Sequence, residues 1–174
     1  MDTSSFLTPG NKILYEIYKD KDGKLWVSAF DVESFIIDIR DYIVQKYPLP
    51  DLRNQLKANP AINSLCKDED GIFWFSQDRY GLCIYDSRKE KLKHYSQCQG
   101  TRNLPFGDVT NIARSYNHNW IWATSYGPTV FGLSQQNMEM KEDVRIELGN
   151  VTNNPGLITS LFEDPQNNLW IGTT

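Results

Sequence analysis

Histidine and cysteine are scarce in this chain, two of the first and three of the second among 174 residues. His94 falls in an expected outer strand and His118 in an expected hairpin. No sequence pattern ties either to a nucleophile or to metal-ligating neighbours, so acid-base and metal catalysis lack their commonest donor. The GxSxG, HExxH, phosphate-loop and dinucleotide fingerprints are all missing, and the expectation is no catalytic residue, no metal and no cofactor. Cys66, Cys83 and Cys98 are odd in number and have no CxxC spacing, which excludes a zinc knuckle and a complete disulfide framework. Buried free thiols are their simplest state, with a Cys66 to Cys83 bridge as the alternative. No run approaches the roughly 18 apolar residues of a membrane span, and residues 1–12 lack a basic stretch followed by an apolar run. Membrane contact by this chain is therefore not expected. Eighteen lysines and arginines are scattered among 22 acids without forming a stripe, so nucleic acid is not an expected partner either.

What the chain does have is aromatic and apolar content, 13% and 40%, and a repeat. Tryptophans stand at 26, 74, 122 and 170, each 48 residues from the last. The surroundings recur as Asp20-Lys-Asp-Gly-Lys-Leu-Trp26, Asp68-Glu-Asp-Gly-Ile-Phe-Trp74 and Asp164-Pro-Gln-Asn-Asn-Leu-Trp170, with a degenerate third copy. Apolar residues precede the tryptophan by twelve and nine positions: Leu14 and Ile17, Ile62 and Leu65, Ile158 and Leu161. Val109 and Ile112 fit if one residue is inserted before Trp122. A small residue follows by two each time, as Ser28, Ser76, Thr124 and Gly172, and Asp38 matches Asp86 as Tyr47 matches Tyr95.

A constant period of this length marks one supersecondary unit repeated. The residues flanking each tryptophan are apolar too, as in Phe73 and Phe75 or Ile121 and Ala123. In a strand they point to the opposite face, so the sheet must be covered on both sides, as when sheets stack radially about an axis. Asp22-Gly23 and Asp70-Gly71 predict a tight hairpin between the first two strands of each copy, with Asn167 or Asn168 taking the left-handed position in the fourth. Third strands are expected at 33–39, 81–86 and 130–134, and fourth strands at 42–47, 92–97 and 144–148. Residues 52–57 after Asp51 predict one helical turn. The fold class is thus all-β: four-stranded antiparallel propeller blades in one partial domain over 1–174, with repeats about 13–60, 61–107, 108–156 and 157–174.

The segment Ile158-Thr-Ser-Leu-Phe-Glu-Asp-Pro-Gln-Asn-Asn-Leu-Trp-Ile-Gly-Thr-Thr174 resembles the two-component regulator propeller repeat, whose pattern runs I-x-x-I-x-x-D-x-x-G-x-L-W-I-G-T. Gly81-Leu-Cys-Ile-Tyr-Asp86 resembles its continuation, and Asn103-Leu-Pro-Phe-Gly-Asp-Val109 the loop into the next blade. The resemblance implies an extracytoplasmic, periplasmic sensor region of hybrid two-component systems from Bacteroides-type bacteria, responsive to oligosaccharides. Repeat one lacks the Gly-Leu, repeat three lacks the Asp-x-x-Gly turn, and no kinase or DNA-binding segment occurs. Signalling output would then lie in parts outside this chain. The alternatives are a structural or protein-interaction propeller and, with less support from two isolated histidines, a lyase similar to the streptogramin lyases.

Three and a half blades cannot close a ring, which predicts a homodimer or other blades completing it, with Phe6-Leu7 as an outer strand for the partner's unfinished blade. Trp26, Trp74, Trp122 and Trp170 recur at one register, so packing between blades explains them better than sugar stacking. Trp120 obeys no repeat rule, and shielding of its hairpin is the simpler reading beside a binding role. Asp20-x-Asp22-Gly23 and Asp68-x-Asp70-Gly71 begin like a calcium loop, but Ala29 and Gln77 stand where its twelfth-position acid belongs, so they are turns. Ligand-binding residues are expected in the d–a and b–c connections, where loops vary on a fixed scaffold. Arg79, Tyr80, Arg102, Asn103, Phe106 and Tyr126 break the repeat there and can stack on or hydrogen-bond a sugar. The two arginines would suit an acidic glycan.

Overall fold

The computed structural model describes residues 14–20, 22–29, 32–38, 40–41, 43–46, 62–77, 81–95, 108–150 and 156–174. The chain groups into two compact units, 1–62 and 63–174. The first carries one antiparallel meander, β1 (Leu14–Lys19), β2 (Lys24–Ala29), β3 (Val32–Asp38) and β4 (Ile43–Lys46), paired in sequence order. The second repeats it as β5 (Ile62–Lys67), β6 (Phe73–Gln77), β7 (Gly81–Asp86) and β8 (Lys91–Tyr95). A third copy runs β9 (Val109–Arg114), β10 (Ile121–Ser125), β11 (Thr129–Gln136) and β12 (Glu139–Glu147). The fourth is the two-stranded pair β13 (Ile158–Glu163) and β14 (Leu169–Thr173). These are β-propeller blades. The Asp51 to 57 turn, Phe6-Leu7, Tyr47 and Cys98 lie outside the described residues.

Hairpin chemistry starts each blade. Gly23, Gly71 and Asn167 hold φ of 79°, 78° and 67°, the left-handed position that closes a three-residue hairpin loop, so Asn167 and not Asn168 takes the glycine's place. The backbone N–H of that residue donates to the carbonyl of Asp20, Asp68 or Asp164, at 3.1 Å in each case.

Burial follows the period-two expectation. Phe73, Trp74 and Phe75 are all buried, as are Ile121, Trp122 and Ala123, and β7 is buried along its whole length. Each buried tryptophan removes roughly 200 Å² from water, an upper bound of about 5 kcal/mol in transfer free energy. Trp26, Trp74 and Trp122 are 4%, 1% and 7% exposed, whereas Trp170, on the two-stranded sheet, is 61% exposed. Val109 and Ile112 are buried like Ile62 and Leu65, as a one-residue insertion requires. Ile17, in the first unit, is exposed.

Within the second unit the blades are tied through their first strands. The Ser64 hydroxyl donates to the carbonyl of Ile112 and accepts from its N–H, both at 3.1 Å and 48 residues apart. The Asn111 amide donates to the carbonyl of Ile158 at 3.2 Å. Further out, the buried Tyr95 hydroxyl donates to the Met138 carbonyl at 2.6 Å and accepts from the Met140 N–H at 3.1 Å. The tyrosine thereby holds the β11–β12 turn of the next blade.

That turn is where expectation and structure part. The fourth strand of blade three runs from Glu139, five residues before the expected start, and spans nine residues. Asn137 and Met138 both take positive φ, 53° and 67°, making a two-residue hairpin without the usual glycine. β12 alternates exposed and half-buried positions in a mostly charged sequence, so hydrophobic patterning does not reveal it. Cys66 and Cys83 are buried and are not joined by a disulfide, and burial pushes the Cys83 thiol well above its ordinary range.

Candidate ligand-binding site

The aspartate six residues before each tryptophan is a clamp. Asp20 Oδ1 accepts from the N–H groups of Asp22 and Lys24, and Oδ2 from the Trp26 indole at 2.8 Å. Asp68 accepts from Ile72 N–H at 2.9 Å and the Trp74 indole at 2.8 Å, and Asp164 from the Trp170 indole at 2.9 Å. Asp20 and Asp68 are buried, so turn geometry alone does not account for them. Burial raises the Asp68 carboxyl against the opposing hydrogen bonds from Trp74 and Ile72. At the half-buried Asp164, the Asn168 side-chain amide and then the Trp170 indole lower the carboxyl to about 2.

The third blade lacks this aspartate. Ser115 stands there, its hydroxyl accepting from His118 N–H at 3.1 Å, and a serine held in that turn leaves the Trp122 indole without its local acceptor. Glu163 of blade four supplies one, accepting from Trp122 Nε1. The residue before the clamp is Lys19, Lys67 and Arg114 in the other copies, so the acid at 163 breaks the repeat where the neighbouring blade requires an acceptor. Glu163 is buried and its other oxygen has no partner.

The longer β9–β10 turn of blade three also shapes a cleft of about 540 Å³. Asp70 from the β5–β6 turn of blade two lines it, with Asn119 and Trp120 from the β9–β10 turn and Gln135, Asn137 and Asp143 from the β11–β12 hairpin. Two hydrogen bonds of the Gln135 side chain fix its floor: Gln135 Nε2 donates to Asp70 at 3.3 Å, while Gln135 Oε1 accepts from Met138 N–H at 3.0 Å. Asp143 accepts from Ser134 and Lys141; burial raises its carboxyl, but these partners outweigh it and hold it below the ordinary carboxylate range. Trp120 is half-buried, stacked on His118 at 4.1 Å and edge-on to Trp122 at 5.7 Å. Its indole N–H is buried without a partner.

Trp120 packs against the Trp122 cluster and lines the cleft as well. Of the expected ligand residues, Tyr126 is exposed in the β10–β11 connection, away from the cleft lining. Arg79, Tyr80, Arg102, Asn103 and Phe106 lie outside the described residues. The cleft opens at the β9–β10 and β11–β12 turns, whereas the expected loops are the second-to-third-strand and blade-to-blade connections. Among the described residues no group of three His, Cys, Asp or Glu is placed to hold a metal ion, and no helix is long and apolar enough to cross a membrane.

Residues 154–174 match the family model described as Two component regulator propeller. No curated protein is a significant match. Among solved structures, the chain is similar to the extracellular domain of a candidate hybrid two component system from B. thetaiotaomicron, at 24% identity and a TM-score of 0.61 over 92% of this chain and 20% of that one. It is similar to the extracellular domain of a candidate one component system from the same organism, at 20% identity and a TM-score of 0.59 over 95% and 21%. It is also similar to the Cps50 (Swd1) beta-propeller domain of Myceliophteria thermophila, at 11% identity and a TM-score of 0.57 over 79% and 46%. The chain spans about a fifth of the length of the two bacterial domains. It is a row of β-propeller blades whose fourth copy carries the sequence of the two component regulator propeller repeat.

Proposed function

We propose that this chain is a non-catalytic, ligand-binding section of a sensor propeller from a two-component-type protein, acting outside the cytoplasmic membrane and responding to oligosaccharide. The observation that carries the reading is the regulator-propeller repeat at 154–174 within a run of blades built to the same 48-residue plan. Blades locked by buried tryptophans and inter-blade hydrogen bonds keep the connecting turns in fixed relative positions, which is what a binding surface on loops requires. Calorimetry of the 174-residue chain against neutral and acidic oligosaccharides tests it. Saturable heat with at least one oligosaccharide supports the reading, and none at millimolar ligand contradicts it.

An interaction propeller that pairs with a second copy of itself is the second reading. Phe162 and Trp170 are cross-strand partners on one face of the β13–β14 pair, and both are 61% exposed, with Leu157 exposed nearby. Paired aromatics left in water favour a covering partner. Light scattering at micromolar concentration decides it: twice the chain mass supports self-association, and the mass of one chain rules it out.

A further inference from the structure

Resting on the ligand-binding reading above, we infer that the cleft around Trp120 is the ligand seat and that it selects a neutral saccharide over an acidic one. The seat lies at the β9–β10 and β11–β12 turns, and its chemistry differs from that of the two arginines. Its lining supplies amides from Asn119, Gln135 and Asn137, carboxylates from Asp70 and Asp143, and one indole, Trp120. Planar amides and carboxylates present paired donors and acceptors to adjacent hydroxyls, while an aromatic ring covers the C–H surface of a pyranose. Among the described residues no lysine or arginine lines the cleft. An added anion would meet the Asp70 carboxylate, with no lysine or arginine in the lining to pair with it. Asp143 is already neutralised by Lys141 and hydrogen-bonded by Ser134, which leaves the cleft too weakly charged to select a cation. A neutral polyhydroxyl ligand satisfies these groups without an unpaired charge.

Trp120 separates this seat from the repeat. No other copy has an aromatic at its register, where Lys24, Ile72 and Asn168 stand, so the repeat does not require one there. One side of the ring is taken by His118, and Trp120 sits at the meeting point of two turns and one hairpin from adjacent blades. The scaffold under the seat is rigid, since Gln135 and Tyr95 fix the β11–β12 turn from both sides.

The test is a ¹H–¹⁵N titration of the 174-residue chain, following the indole N–H signals. The Trp120 signal is identified as the one lost in Trp120→Phe. The ligands are neutral trisaccharides, a uronate-containing trisaccharide and spermidine. Expected are saturable movement of the Trp120 signal with a neutral trisaccharide, a still Trp74 signal, and no movement with the uronate or spermidine. Asn137→Gly keeps the positive φ and removes one amide, and it should weaken the affinity about three- to tenfold. Saccharide binding by calorimetry with the Trp120 signal still and Asn137→Gly without effect overturns the seat and leaves the sensor reading standing. Movement with the uronate or spermidine in place of the neutral ligand overturns the selectivity. No binding of any saccharide overturns both the seat and the reading on which it rests.

Discussion

Glu163→Ala removes the acceptor of the Trp122 indole and leaves that buried N–H unpaired. A hydrogen bond to a charged acceptor contributes about 1.5–3 kcal/mol. The single variant will show less than this, because Glu163 also keeps a buried oxygen without a partner and its removal relieves that burial cost. A double-mutant cycle with Trp122→Phe separates the two effects: the phenylalanine keeps a ring but cannot donate, so the coupling isolates the inter-blade bond. It should come to about 1.5–3 kcal/mol from urea midpoints at unchanged slope. Glu163→Gln retains an acceptor without the charge and should keep the chain within about 1 kcal/mol of the parent. A coupling below about 0.5 kcal/mol, the usual error of additivity, would refute the view that blade four completes blade three.

Tyr95→Phe strips the partner from the Met138 carbonyl and the Met140 N–H and should cost about 1–3 kcal/mol in the same urea assay; an unchanged midpoint would contradict the clasp. Gly132→Ala places a Cβ 3.1 Å from Val144 Cβ and 3.5 Å from the Trp122 ring, so a loss of about 1–3 kcal/mol from overpacking is expected, and a gain in stability would show that the blade has room there. Asp68→Ala removes an acceptor from a buried indole and should lower stability by about 1–3 kcal/mol, while Asp164→Ala, which frees an indole already in water, should cost less. Acid separates the same two clamps. Asp164 is held near 2 in the folded chain, below its ordinary 3.8, so its contribution is present above about pH 4 and is lost as pH falls through about 2. The raised Asp68 carboxyl has the reverse sign, its contribution present in acid and lost as pH rises through its folded value. The Trp170 indole signal should therefore titrate near pH 2 and the Trp74 signal at higher pH, and coincident titration would contradict the account.

The blades were legible because one repeat carries several independent signals in register: the tryptophan, the Asp-Gly hairpin and the paired apolar positions of the first strand. The role of the leading aspartate was only half legible. Its constant six-residue distance from the tryptophan is visible at 20, 68 and 164, but an acid in a turn reads as solvated until the indole is seen to reach it. The Lys19, Lys67, Arg114, Glu163 series held the other clue, a change of sign whose reason lies in the adjacent blade. The recurrence of Tyr95 was visible without its purpose, since its partners are backbone groups more than 40 residues away. The cleft was not legible at all: Asp70 and Gln135 meet across blades, and β12 has no hydrophobic pattern to announce the hairpin that walls it. Trp120 was its single trace, an aromatic that the repeat does not require.

Sheets standing side by side at a fixed residue interval underlie all of this, and a nuclear Overhauser spectrum reads that arrangement directly. Cross-peaks are predicted between the Ser64 side chain and the Ile112 amide, and between the Asn111 side-chain amide and the Ile158 backbone. Finding the strand ladders within each sheet intact but both of these sets missing would contradict it.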